Sequence, residues 1–217
     1  MINKGITFDD IHTYSDLNLI LSASEIPPAK PKTSYIDIPG ADGSLDLTEA
    51  NGEVKYYDRD LNFTFTIIPD SSVTFEEKRT EVINLLNGKV CKVTLDRDED
   101  YYYYGRCSVN SYEADKNFHQ IVISVKAKPY KFNHIITKRS FVLTATPTEV
   151  KIANSRKSVV PSITCTNNNT VIGFKGGTYN LSAGNHKILD ILFVEGNNLV
   201  TVSGSGTVTF EFQEGEL

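Results

Sequence analysis

The sequence has little of what metal, redox or disulfide chemistry usually requires. It contains three cysteines, four histidines, one methionine and no tryptophan among 217 residues. Cys91, Cys107 and Cys165 are too few and too scattered for a disulfide framework, and no CxxC pair suggests a zinc site. We therefore expect three core or strand thiols, and neither a metal nor a cofactor.

Long hydrophobic runs and an apolar leader are also missing. No window approaches the roughly 18 consecutive apolar residues of a membrane-spanning helix. Residues 1–5, MINKG, lack the apolar region of a secretory signal. We expect synthesis in the cytosol and no membrane partner.

Clustered basic charge is absent as well. Residues 1–134 hold 15 Lys and Arg against 21 Asp and Glu, a net charge of −6, whereas residues 135–217 hold 7 against 6. Affinity for phosphates rests on clustered Lys and Arg. Sequence-specific nucleic-acid binding is therefore not expected.

The dominant pattern that the sequence does contain is alternation with a period of two residues. Apolar and polar side chains alternate in residues 61–67 and again in residues 121–127. Because successive side chains of a strand point to opposite faces, each segment offers one apolar face to a core. The pattern predicts antiparallel sheets that are buried on one side.

One segment departs from this alternation and predicts a helix over about residues 74–87. Thr74 and Glu77 have the spacing of a capping box, and Gly88 can take the left-handed conformation that ends a helix. The expected buried face repeats at helical spacing and comprises Phe75, Val82, Ile83 and Leu86. A strand over residues 89–95 follows at once, so the helix belongs to an otherwise β domain.

A change in composition near residues 129–135 predicts two domains, 1–134 and 135–217. From Ser140 onward, short strands alternate with polar turn signals, a pattern typical of a β-sandwich. The turn signals are Asn167–Asn169, Gly176-Gly177, Gly184-Asn185, Gly196–Asn198 and Gly204–Gly206.

An acidic segment and the four histidines are the candidate sites of chemistry. Residues 96–100 have the carboxylate spacing that opens a calcium loop, but such a loop needs Gly and an acid where Tyr101 and Cys107 stand. We expect an acidic turn between two strands. The four histidines are isolated, and no GxSxG elbow or phosphate-binding glycine loop is present. An enzyme is therefore not expected.

The run Tyr101, Tyr102, Tyr103 and Tyr104 is a candidate contact segment. In a strand, Tyr101 and Tyr103 lie on one face and Tyr102 and Tyr104 on the other. At most two rings share a surface, so stacking of sugars or bases on all four is excluded. Tyrosine is enriched at protein interfaces, and we expect these four residues to serve the core and a protein interface.

The order of these segments resembles the distal tail proteins of long-tailed bacteriophages. The matching series is residues 5–8 (GITF), 15–19 (SDLNL), 38–47 (IPGADGSLDL), 57–63 (YDRDLNF), 85–89 (LLNGK), 95–104 with the tyrosines, and 127–132 (AKPYKF). Residues 160–163 (VPSI) and 195–204 (EGNNLVTVSG) are similar to the C-terminal galectin-like sandwich of that family. The stretch between Gly177 and Glu195 is shorter than in the family pattern.

The resemblance implies a mostly β protein with one main helix, in which an N-terminal split β-barrel precedes a galectin-like β-sandwich. It also implies a homohexameric ring that joins the tail tube protein to the tail-tip protein and supports receptor-binding proteins. Such a ring would be assembled in the host cytoplasm and end at the distal end of the virion tail. The net charge of −6 leads us to expect acidic side chains along its channel, where like charge keeps passing DNA from adhering.

Two functions from other classes remain as alternatives. Residues 135–217 are also compatible with a carbohydrate-binding module that takes part in host-surface recognition, since sandwiches often serve as lectins. A hydrolase of the tail tip would need a nucleophile or paired acids in a cleft, which distant residues can assemble.

Overall fold

The chain is mostly β, with one helix, over the residues that the structure describes. The structure is a computed structural model that describes residues 5–50, 52–67, 74–114 and 118–217. These residues form nineteen strands and one α-helix, which confirms the predicted fold class. Residues 1–4, part of the N-terminal segment that lacks the pattern of a secretory signal, lie outside the described residues. Two compact units divide the chain: unit 1 runs to Lys131 and includes Leu217, and unit 2 is Phe132–Glu216.

Unit 1 is built on one antiparallel sheet. Its elements are β1 (Ile6–Phe8), β2 (Ile11–His12), β3 (Leu19–Glu25), β4 (Tyr35–Asp37), β5 (Ser44–Asp46), β6 (Arg59–Ile67), α1 (Phe75–Leu86), β7 (Val90–Leu95), β8 (Asp98–Ala114) and β9 (Phe118–Ala127). Seven strands follow the order β2-β1-β7-β8-β9-β6-β3. Strands β2 and β3 stand at the two ends of this path, which is compatible with a split barrel.

The longest ladder of the sheet joins β8 to β9 and requires a glycine. It runs from the pair Gly105 and Ala127 to the pair Ala114 and Phe118. A Cβ atom at Gly105 would lie 2.6 Å from the Cα atom of Ala127 and still closer to the carbonyl oxygen of Lys126. Because backbone cannot move aside as a side chain can, only glycine allows the two strands to approach this closely.

The core of unit 1 follows the predicted alternation. Leu61, Phe63 and Phe65 of β6 are fully buried, and their polar neighbours face outward. The ring of Phe8 meets that of Phe63 edge-on, with 6.4 Å between centroids. Cys91 and Cys107 lie in the same cluster. Cys165 is buried in unit 2, so all three thiols are free and buried, as predicted.

The predicted capping box begins α1. The amide of Glu77 donates to the Thr74 hydroxyl, and the amide of Thr74 donates to Glu77 Oε2 at 2.8 Å. The Thr74 hydroxyl also donates to Glu77 Oε2, at 2.9 Å. The amide and the hydroxyl of Thr74 both lower the pKa of Glu77, the amide most. Val82 and Leu86 are buried, and Gly88 has a φ of 78°. With 12 residues, α1 is too short to cross a bilayer, and no other helix occurs in the described part of the chain.

Unit 2 is a sandwich of two antiparallel sheets. Its strands follow β10 (Lys131–Asn133) and are β11 (Thr137–Val142), β12 (Thr148–Asn154), β13 (Ser162–Cys165), β14 (Thr170–Phe174), β15 (Gly177–Leu181), β16 (Gly184–His186), β17 (Gly196–Ser203), β18 (Thr207–Phe212) and β19 (Gly215-Glu216). The sheets have the orders β11-β18-β13-β16 and β12-β17-β14-β15. Phe193 packs between them against Phe174, Phe210 and Phe212.

Two of the predicted turns in unit 2 are wrong. Gly184-Asn185 opens β16, where Asn185 pairs with Thr164. Gly196–Asn198 opens β17 instead, because Asn198 is buried and its amide group satisfies backbone inside the sandwich. Its nitrogen donates to the carbonyl oxygen of Val194 at 2.9 Å, and its oxygen accepts the Val194 amide at 2.9 Å.

The close approach at Gly105 sets the cost of a methyl group there. Gly105→Ala is expected to lower the free energy of unfolding by roughly 1–3 kcal/mol, since β9 must shift. Urea denaturation monitored by circular dichroism measures this change. Ser108→Ala, three residues along the same strand at an exposed position, is the control and should stay within about 0.5 kcal/mol. Equal stability of the two variants would contradict the steric argument.

Candidate assembly interface

The tyrosine run lies in β8 and divides between the two faces of the sheet. Tyr103 is buried in the core, 7% exposed, and its ring lies 4.8 Å from the guanidinium carbon of Arg59. Tyr101 shares this side and has the Lys131 amine 4.1 Å from its ring centroid. These two rings therefore hold cations against the strand, and Tyr103 has little surface left to offer a partner.

The other two tyrosines lie on the outward face. Tyr104 is 43% exposed and pairs with Lys92 across the strands. The Lys92 amine lies 4.9 Å from the ring of Tyr102, and partial burial raises the pKa of the Tyr102 hydroxyl. Tyr104 is thus the member of the run with the most surface available for contact.

Arg59 is a buried cation behind the tyrosines. Its side chain is 6% exposed, and its Nη1 donates to the carbonyl oxygen of Pro27 at 3.3 Å. Its Nε and Nη2 have no hydrogen-bond partner among the described residues. Desolvation lowers the pKa of Arg59, and the face of Tyr103 supplies the electrostatic contact that carboxylates usually provide.

A groove of about 590 Å³ lies on the outward face beside Tyr104. Its apolar surface comes from Tyr104 and Val90, which is 39% exposed. Three cations and two anions also line it, namely Arg106, Lys126, Lys128, Asp58 and Asp60. Lys128 pairs with Asp58 at 3.7 Å, and Arg106 donates to the carbonyl of Gly88. Among the described residues, Lys126 has no bonded partner and remains available.

The arm, defined as residues 33–50, carries the hairpin of β4 and β5. Residues 33–46 are all exposed, and among the described residues the two strands pair only with each other. Ile36 and Leu45 are cross-strand partners on one face, and they are 50% and 49% exposed. The arm therefore presents apolar side chains to solvent without a core beneath them.

The predicted acidic turn is shorter than expected: only Asp96 and Arg97 join β7 to β8, and residues 98–100 lie in β8. Asp96 bonds to the N-terminal part of unit 1. Asp96 accepts the amide of Gly5 and lies 3.2 Å from Nε2 of His12. The described residues contain no group of three His, Cys, Asp or Glu side chains arranged to hold a metal ion. Sequence inspection missed the contact because His12 and Asp96 are 84 residues apart.

Ser15 completes an arrangement of serine, histidine and aspartate, yet its bonds are those of a turn. The Ser15 amide donates to His12 Nδ1 at 3.1 Å, while the Ser15 hydroxyl donates to Asp16 Oδ1 at 3.0 Å. Asp16 also accepts the His12 amide, and these two bonds lower its pKa. Ser15 Oγ also lies 3.2 Å from His12 Nδ1, but the hydroxyl proton is directed to the closer carboxylate of Asp16, and Nδ1 already accepts the Ser15 amide. The cluster fastens the chain between β2 and β3.

Removing the carboxylate of Asp96 tests this fastening role. Asp96→Ala leaves the amide of Gly5 and the imidazole of His12 without their acceptor, and should lower the free energy of unfolding by about 1–3 kcal/mol. Thermal unfolding followed by calorimetry gives the value. Asp100→Ala removes a nearby exposed carboxylate as the control; if both substitutions are silent, the contact contributes nothing to the fold.

Comparison with known proteins identifies the family. Residues 10–127 match the family described as phage tail protein RIFT-related domain. This match covers more than half of the chain, and the chain therefore belongs to this family of phage tail proteins. It is a structural component of the virion tail, and the predicted resemblance is confirmed at the level of the family. No curated protein matches the sequence.

The fold is also found among solved phage structures. The crystal structure of the SPP1 Dit protein, described as a paradigm of the hub adsorption apparatus in phages that infect Gram-positive hosts, is similar over 99% of both chains, with a TM-score of 0.70 and 15% identity. A chain of the phage p2 baseplate, in its activated conformation with Sr, matches 97% of this chain and 98% of its own length, with a TM-score of 0.42 and 8% identity. The first similarity shows that the chain has the fold of a distal tail protein.

Proposed function

We propose that this protein forms a homohexameric ring at the distal end of the tail, between the tail tube protein and the tail-tip protein, and supports receptor-binding components. The observation that carries the proposal is the family match of unit 1, supported by the fold of the SPP1 Dit protein over the whole chain. Assembly takes place in the host cytoplasm before the particle is released.

The surfaces of unit 1 suit a ring. Closed rings use a heterologous contact, in which one surface of a subunit meets a different surface of the next. Unit 1 offers several such surfaces: the sheet edges at β2 and β3, the arm, and the groove beside Tyr104. Tyr102 and Tyr104 supply the outward contacts of the tyrosine run. Tyr101 and Tyr103 lie on the opposite face of the strand, where Tyr103 packs in the core.

Unit 2 serves as the outward appendage in this proposal. Its alternative role is sugar binding, which usually stacks a sugar ring on an exposed aromatic side chain. The large apolar side chains exposed on unit 2 are aliphatic: Ile135, Ile136, Val142, Leu189 and Leu199. This surface fits a protein partner better than a sugar.

The purified chain should assemble into a ring. Six copies of 24.1 kDa give about 145 kDa, which light scattering coupled to size exclusion measures directly. Negative-stain images should show sixfold particles with a central channel, and tails imaged in the virion should carry the same ring at their distal end. Virion tails that hold this protein in any other arrangement would contradict the proposal.

The channel of that ring should be acidic, because unit 1 carries an excess of carboxylates and passing DNA is repelled by like charge. A ring structure at side-chain resolution tests this point together with the symmetry. A basic or neutral channel wall would contradict the proposal of an acidic channel, whereas the proposal of a ring would still stand.

Two neighbouring tyrosines should separate folding from assembly. Tyr103→Ala opens a core cavity beside Arg59 and should cost about 3–5 kcal/mol of stability. Tyr104→Ala should change stability far less and weaken association at least about tenfold, because half-exposed aromatic rings are frequent interface anchors. Urea denaturation and concentration-dependent light scattering provide the two readouts. An assembly defect that tracks loss of stability in both variants would argue against an interface role.

A further inference from the structure

The arm lacks the cover that a hairpin of this kind needs. A two-stranded hairpin alone is marginally stable in water at best, yet within the described part of the chain β4 and β5 pair only with each other. Ile36, Ile38 and Leu45 are each about half exposed. Ile36 and Leu45 are cross-strand partners on one face of the hairpin and form an apolar surface, and Ile38 adds exposed apolar area directly after β4.

Charge on the arm is of one sign. Residues 33–50 contain Asp37, Asp42, Asp46 and Glu49 and no lysine or arginine. The surface that covers the arm therefore has to combine apolar area with basic side chains. Like-charged surfaces are excluded, since juxtaposed like charges cost several kcal/mol.

The groove beside Tyr104 has this combination. In a unit of net negative charge, it is lined by three cations against two anions. Lys128 already offsets Asp58, so Arg106 and Lys126 outnumber Asp60. Val90 and Tyr104 provide exposed apolar surface between these charges, and a volume of about 590 Å³ is enough for several side chains.

We propose that the hairpin of β4 and β5 from one copy of this chain inserts into the groove beside Tyr104 of a second copy. The apolar face of Ile36 and Leu45 covers Val90 and Tyr104, and Arg106 and Lys126 attract the carboxylates of the arm. Hairpin and groove are different surfaces, so the contact runs head to tail and propagates around a ring. This inference rests on the proposed function and supplies its subunit contact.

Two double variants test the contact, and each has substitutions in only one of the two proposed contact surfaces. Ile36→Lys with Leu45→Lys alters the hairpin and leaves the groove intact, whereas Lys126→Glu with Lys128→Glu alters the groove and leaves the hairpin intact. All four side chains are exposed, and the Lys128–Asp58 pair that the groove variant loses is a surface ion pair, so thermal unfolding should change little. Each variant alone should associate at least about tenfold more weakly than the parent chain in sedimentation experiments.

Mixing the two variants gives the decisive result. The intact hairpin of the groove variant can enter the intact groove of the hairpin variant. The two surfaces left over in that pair, one hairpin and one groove, both carry substitutions and cannot bind a third copy. The mixture should therefore contain a one-to-one heterodimer, two copies of 24.1 kDa or about 48 kDa, identified by native mass spectrometry with one variant isotope-labelled. A contact between like surfaces would give no such recovery.

Matched controls carry the same charge changes on unit 2. Leu189→Lys with Leu199→Lys, and Lys151→Glu with Lys187→Glu, alter exposed positions and should leave association unchanged. Full assembly of either test variant, or a mixture without heterodimer, would overturn the hairpin contact while a sixfold parent ring still supported the proposed function. A parent chain that stays monomeric at every concentration would overturn the hairpin contact as a self-sufficient interface, and images of the virion tail would then decide the ring separately.

Discussion

The ladder between β8 and β9 is the constraint on which unit 1 depends. Both strands are long and pair continuously, and the absence of a side chain at Gly105 lets them start that pairing in close contact. Alternation along β8 then fixes which side chains face inward. Tyr103 and Cys107 enter the core, while Tyr104 and Arg106 face outward. Core and contact surface are two consequences of one register, because a slip by a single residue would exchange them.

Much of this arrangement was readable in the sequence, because it depends on local periodicity. Alternation in residues 61–67 predicted the buried face of β6, and the Thr74–Glu77 spacing predicted the start of α1. The turns at Gly184 and Gly196 were misread because glycine and asparagine signal turns locally. Burial of Asn198 and the pairing of Asn185 place those residues in strands instead. Hydrogen bonds and strand pairing formed in the folded unit outweighed the preference of glycine and asparagine for turns.

The candidate interface was predictable only in part, since it joins residues that are distant in sequence. Alternation separated Tyr101 and Tyr103 from Tyr102 and Tyr104, and the structure adds which pair is inward. The groove brings Asp58 from the start of β6 together with Val90 and Lys126, a conjunction that no local pattern contains. The cluster of His12 and Asp96 was hidden for the same reason. Its resemblance to a catalytic triad disappears once hydrogen-bond donors and acceptors are assigned.

Burial of the three thiols has a consequence for a particle that leaves its host. Desolvation raises the pKa values of Cys91, Cys107 and Cys165, and the thiolate is the form that attacks disulfides and reacts with oxidants. The folded subunit therefore holds its three sulfurs in the protonated, less reactive form.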